Sequence, residues 1–126
     1  MESSSPLSSR PRQRRGIIEM ADSNRPERLD DAEIEQALEG VPGWTICAGK
    51  LHREFRFRNF NQAFGFMTRA ALYSEAMDHH PEWSNVYATV IVDLMTHSAD
   101  GITKLDFDLA KKMNGISEEF SKRKDA

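Results

Sequence analysis

From Leu29 onward, apolar and polar positions recur with periods that change in an orderly way along the chain. Asp30 or Asp31 caps a short helix with Ile34, Ala37 and Leu38 on one face, and Gly40 with Pro42 stops it. Trp44 to Cys47 reads as a short strand and Ala48-Gly49-Lys50 as a turn into a second strand, Leu51 to Arg58. There Leu51, Phe55 and Phe57 share one face while His52, Glu54, Arg56 and Arg58 share the other, so the pair forms a hairpin. Arg53 interrupts the apolar face. Asn59 followed by Gln62 resembles a capping box, and Phe60, Ala63, Phe64, Met67, Ala70 and Ala71 then recur at helical spacing. This second helix is expected to end near His79, because Pro81 biases His80 away from helical geometry. Val86 to Thr96 is strand, or two strands joined by a bend, with Val90, Val92 and Leu94 opposite Ile91, Asp93 and Met95. After the Asp100-Gly101 turn, Thr103 with Asp106 starts a third helix carrying Leu105, Leu109 and Met113. Asn114-Gly115 ends or kinks it, with a weaker continuation through Ile116 and Phe120.

Helices alternating with pairs of strands predict an α+β two-layer sandwich: a small antiparallel four-stranded sheet with helices packed on one face. No internal repeat is present. The open face of the sheet, with Ile91 and Met95 among polar residues, is suited to packing on another subunit.

Composition narrows the class. A chain of 126 residues, 39% hydrophobic, supports one small core, which association often reinforces. Cys47 is the single cysteine, so an internal disulfide and a thiolate-rich zinc site are excluded, consistent with a reducing compartment. No apolar run approaches the roughly 18 residues that span a bilayer.

Charge divides the chain at residue 28. Residues 1–28 hold six arginines against four acidic residues and are rich in Ser and Pro, so they read as a disordered arm. Residues 29–126 hold eleven basic against sixteen acidic residues and form the domain; its acidity argues against direct nucleic-acid binding. An organelle signal shares the Ser/Arg bias of the arm, but Glu2, Glu19 and Asp22 run against it.

Three of the four histidines, His79, His80 and His97, fall within nineteen residues. Imidazole titrates near neutral pH, so several imidazoles around one cavity with carboxylates beside them exchange protons without a cofactor. Glu75 and His79 are four apart on one helical face, which suits a carboxylate orienting an imidazole. His80, extended before Pro81, points elsewhere, and His97 ends the following strand and closes the cavity from a third side. Asp106 either holds His97 or caps the third helix. Taken singly these residues have plainer roles: His79 as a helix-end surface group, Trp83 and Tyr87 as core anchors, Asp106 as a capping carboxylate. Their joint pattern favours an acid/base site. A zinc site built from the three histidines is disfavoured, because adjacent His79 and His80 do not easily converge on one ion and no HExxH spacing occurs.

The order Glu75-xxx-His79-His80-Pro81, then five residues to Tyr87, nine to His97 and eight to Asp106, resembles the signature of the pterin-4a-carbinolamine dehydratases. That family includes a dimerisation cofactor of a homeodomain transcription factor. The similarity runs from about Leu29 to Phe120 and includes Asn59 to Met67 and Asp78 to Tyr87. The resemblance implies dehydration of 4a-hydroxytetrahydrobiopterin to the quinonoid dihydropterin in cofactor recycling, with no metal and no cofactor. It implies His79 and His97 as acid and base on opposite sides of the pterin, with His80 binding and orienting the ring. Pro81, Thr96, His97, Ser98 and Ala99 would line the pocket, and Glu75, Tyr87 and Asp106 would support it from behind. The implied assembly is a homodimer or homotetramer, and the implied location cytoplasmic, with a nuclear pool if the chain also serves a transcription factor. A protein-binding module that keeps the histidines is the alternative reading.

Overall fold

The computed structural model describes residues 26–122. The N-terminal arm up to residue 25 lies outside the described residues, whereas Pro26 and Arg28, assigned to the arm from sequence, lie against the domain. Helix α1 (Asp31–Leu38) opens with a reciprocal capping box: Glu33 N donates to Asp30 Oδ1 at 2.8 Å, and Asp30 N donates to Glu33 Oε1 at 2.9 Å. Strands β1 (Thr45–Cys47) and β2 (Lys50–Arg56) form the first hairpin, with Ala48 and Gly49 both at positive φ in its turn. Helix α2 (Phe60–Met77) starts at Asn59, whose Oδ1 accepts from Gln62 N at 2.8 Å.

The expected strand between Val86 and Thr96 is a second hairpin that starts earlier. Strand β3 spans Glu82–Val86 and β4 Thr89–Leu94, with Tyr87 at φ 53° in the turn between them. Helix α3 (Lys104–Lys122) runs through Asn114-Gly115 without ending. Asn114 explains why: its side chain is buried, accepts from Trp44 Nε1 at 2.7 Å and Arg53 Nη1 at 2.6 Å, and donates to Pro42 O at 3.0 Å. Tertiary hydrogen bonds therefore override the local stop signal. The same network accounts for Arg53 on the apolar face, where its guanidinium also lies 4.2 Å from the centre of the Phe55 ring. Burial pushes the Arg53 pKa down, opposed by the charge of Glu118.

The sheet is antiparallel throughout, in the order β1-β2-β4-β3, and the helices cover one face. Leu51, Phe55, Val90, Val92 and Leu94 point into the core, where they meet Ala63, Phe66 and Ala70 of α2 and Leu109, Ala110 and Met113 of α3. Each large apolar side chain buried here contributes about 1.5–3 kcal/mol. Phe66 stacks obliquely on Phe55 at 4.6 Å and Phe57 at 5.1 Å between centroids, whereas Phe60 and Phe64 project outward from α2. Gly65 permits the close approach of α2 to α3, since a Cβ there would stand 3.0 Å from the Phe120 ring. The other face of the sheet carries Lys50, His52, Glu54 and Arg56 from β2, Ile91 and Asp93 from β4, and Glu82 and Ser84 from β3.

Candidate active site

One left-handed residue decides where the adjacent histidines go. Helix α2 stops at Met77 because Asp78 adopts φ 54°, ψ 44°, and His79 N donates to Ser74 O at 2.9 Å, closing the helix end. The chain turns at once, so His79 is directed inward and His80 outward: His79 is buried and His80 exposed. Pro81 then holds His80 extended and feeds the chain into β3.

The buried imidazole meets a prepared acceptor. His79 Nε2 lies 2.5 Å from Oδ1 of Asp106, which is fully buried. The second carboxylate oxygen, Oδ2, accepts from Thr103 N at 2.9 Å and from Thr96 Oγ1 at 2.9 Å. Thr103 Oγ1 in turn lies 2.7 Å from Thr96 Oγ1 and accepts from Leu105 N at 3.2 Å. Asp106 thus joins the start of α3 to the end of α2 and to the loop after β4. With the carboxylate accepting, a neutral His79 ring carries its proton on Nε2 and leaves its lone pair on Nδ1.

The loop after β4 is closed by Thr96 N donating to Gly101 O at 2.8 Å, and its crest is a single 3-10 turn, His97–Ala99. His97 stands there largely exposed, with Nε2 3.2 Å from Oε2 of Glu82. The other oxygen of Glu82 receives the Lys50 ammonium at 2.6 Å. That contact holds the Glu82 carboxyl below its ordinary range and raises the Lys50 pKa. His80 makes a third pairing, with Nε2 2.9 Å from Glu75 Oε1.

These pairings correct two sequence expectations. Glu75 engages His80 and not His79, because the helix has already ended where the four-residue spacing was to operate. Asp106 holds His79 and not His97, while also accepting from Thr103 N in the expected capping geometry. Tyr87 lies away from this group, 69% exposed in the β3–β4 turn.

A cleft of about 340 Å³ brings His79, His80, Thr96, His97 and Ser98 together, with Asp78, Met95, Leu105 and Pro26 completing its walls. Pro81 and Ala99 are not among the lining residues. Pro26 arrives because Leu29 N donates to Ile102 O at 2.9 Å and Arg28 lies over Gly101, where a Cβ would come within 2.8 Å of its side chain. The volume is at the small end of the range for small-molecule sites. Among the described residues, no three His, Cys, Asp or Glu side chains converge as a metal-ligand set.

Comparison with known proteins places the chain in a family. The family model for pterin 4 alpha carbinolamine dehydratase matches residues 27–116. The chain belongs to the pterin-4a-carbinolamine dehydratase family. Relatives named pterin-4-alpha-carbinolamine dehydratase include one from Chelativorans sp. (strain BNC1), 58% identical over 93 residues, covering 72% of this chain and 95% of the relative. Another, from Bradyrhizobium diazoefficiens, is 55% identical over 94 residues, covering 73% and 94%. The crystal structure of a transcriptional coactivator/pterin dehydratase from Brucella melitensis superposes with a TM-score of 0.70 at 48% identity, covering 72% of this chain and 99% of that one.

Within this dehydratase-family fold, sequence reasoning missed Glu82, Lys50 and the lining residues Asp78, Met95, Leu105 and Pro26. Glu82 directly follows His80-Pro81, a local signal that could have been read. Lys50 and Pro26 are brought in by sheet order and by packing of the N-terminal segment, which leave no local signature.

Proposed function

We propose that the chain dehydrates a 4a-hydroxytetrahydropterin to the quinonoid dihydropterin and water. The observation that carries this reading is the pair of carboxylate-held imidazoles, His79 and His97, lining one small cleft in a chain of the dehydratase family. The reaction needs one group to protonate the departing 4a-hydroxyl and another to accept the proton lost from a ring nitrogen. His79 and His97 serve as that acid and base, on different walls of the cleft. His80, exposed at the rim, binds and orients the ring. Polar groups of Thr96 to Ser98 bond the pterin edge, and Asp106 fixes the His79 ring from behind. The natural substrate class is a tetrahydrobiopterin carbinolamine formed by an upstream hydroxylase.

The test is stopped-flow absorbance of freshly generated 4a-hydroxytetrahydropterin with wild type, His79→Ala and His97→Ala. Each variant should lose about 10²- to 10⁴-fold in kcat, the usual worth of a positioned acid or base. Wild-type turnover no faster than the spontaneous reaction would sink the reading.

A second reading, a protein-docking module, draws on a different surface. Phe60, Phe64 and Leu72 are exposed apolar side chains on one side of α2. We propose that this face serves self-association into a homodimer or homotetramer. The Brucella melitensis relative is also called a transcriptional coactivator, and a transcription-factor partner in the cytoplasm or nucleus would use the same kind of surface. Light scattering on the wild type and Phe64→Glu distinguishes the cases: a monomeric wild type would remove the self-association claim.

A further inference from the structure

The open face of the sheet carries a charge arrangement that the dehydration chemistry alone does not require. Glu82 of β3 stands directly opposite Asp93 of β4. Like charges facing each other across an antiparallel pair repel. Each is answered from β2 on the far side of β4: Lys50 Nζ reaches Glu82 Oε1 at 2.6 Å, and His52 Nδ1 lies 2.8 Å from Asp93 Oδ1. Lys50 therefore clamps one oxygen of Glu82 and leaves the other, Oε2, at 3.2 Å from His97 Nε2.

We propose that Glu82, clamped by Lys50 across the open face of the sheet, is a positioning residue that sets the tautomer of His97 and so selects Nδ1 as its working nitrogen. The inference rests on the dehydratase reading for its kinetic consequence but not for its geometry. An ionised carboxylate only accepts, so Nε2 of a neutral His97 must carry the proton and its lone pair resides on Nδ1. The contact with Lys50, which depresses the Glu82 pKa, keeps the carboxylate an acceptor through the neutral range. The design matches that of His79, whose Nε2 is likewise bound to a carboxylate. Among the described residues the His97 ring has one side-chain hydrogen-bond partner, Glu82, and it is otherwise largely exposed. Without Glu82 its ring orientation and tautomer would be left to water.

The test combines long-range proton–nitrogen spectra of the His97 ring with steady-state kinetics, using the full chain as wild type, Glu82→Gln, Glu82→Asp and Lys50→Met. Wild type should show the Nε2–H form when neutral. Glu82→Gln presents an amide that can donate to Nε2, so the His97 signal should move toward the Nδ1–H form while the His79 signal stays fixed. The kcat should fall about 10- to 100-fold with KM nearly unchanged, the scale for a partner that orients a functional histidine. Glu82→Asp should keep the tautomer and recover part of the rate, and Lys50→Met should cost less than Glu82→Gln. Unchanged ring signals in Glu82→Gln, or an unchanged kcat in an active enzyme, would overturn the proposal. Wild-type protein without activity would overturn the dehydratase reading instead, and the ring spectra would still decide the geometry.

Discussion

His79 and His97 each present Nε2 to a carboxylate, yet the two pairs are built from opposite materials. The His79–Asp106 pair is enclosed, and Asp106 accepts from a side chain of the α2 terminus, a hydroxyl of the loop after β4 and a backbone N–H at the start of α3. The His97–Glu82 pair stands in water, with Glu82 steadied by a lysine two strands away. The first arrangement makes the geometry of the acid/base group part of the stability of the fold. The second separates them, so that the exposed histidine can be retuned by surface charges at little cost to folding. A site with one rigid and one adjustable proton-transfer group suits a reaction that needs both a donor and an acceptor on one ring.

Asp106→Ala strikes this contrast hardest. It removes the buried acceptor shared by His79 Nε2, Thr96 Oγ1 and Thr103 N, and loss of one partner from a buried network costs about 3–5 kcal/mol. Urea denaturation should show that loss, together with a large fall in activity. His97→Ala should reduce kcat by a similar factor to His79→Ala while changing unfolding free energy by no more than about 0.5 kcal/mol, as for other surface positions. If His97→Ala destabilised the protein as strongly as Asp106→Ala, the proposed division between a rigid and an adjustable group would be wrong.

Much of this could be read from the chain. The two-layer α+β sandwich, the apolar stripes of its helices, the Thr103–Asp106 helix start and the clustering of His79, His80 and His97 all follow from local periodicity and spacing. The errors share a physical origin. Asp78 in the left-handed region is a single-residue event that no hydrophobic period reveals, and it redirects both adjacent histidines. Spacing arguments for Glu75 assumed a helix reaching His79, two residues beyond the Met77 at which it ends. Arg53 and Asn114 looked like breaks in their elements because they bond each other across 61 residues of sequence. Lys50 and Glu82 meet only because the sheet places β4 between their strands, a topological fact that local patterning does not carry.

The clamp itself has a defined pH range. The Glu82 pKa lies below the ordinary 4.5, chiefly through the hydrogen bond from Lys50, so its stabilisation is complete above 4.5 and fades only as pH falls through the lower folded value. The Lys50 pKa lies above 10.5, again chiefly through Glu82, so its share is complete below 10.5 and is lost only as pH rises through the higher folded value. Between 4.5 and 10.5 the difference in urea midpoint between wild type and Lys50→Met should therefore be constant and small. A difference that changed steeply near neutral pH would mean that the histidines beside the clamp, and not the lysine–carboxylate pair, govern its strength.

Glu75→Gln should have the smallest effect. Its side chain is 81% exposed and its partner His80 58% exposed, so the 2.9 Å contact competes with water and salt at every point. The unfolding free energy should shift by less than about 0.5 kcal/mol. Because Gln can still bond Nε2 of His80, any kinetic change should fall on KM, through the orientation of a residue that binds the ring, and leave kcat within about twofold. A selective collapse of kcat in this variant would instead place His80 among the proton-transfer groups. It would also show that an exposed carboxylate can matter to the chemistry without a lysine clamp, which removes the reason for distinguishing Glu82 from Glu75.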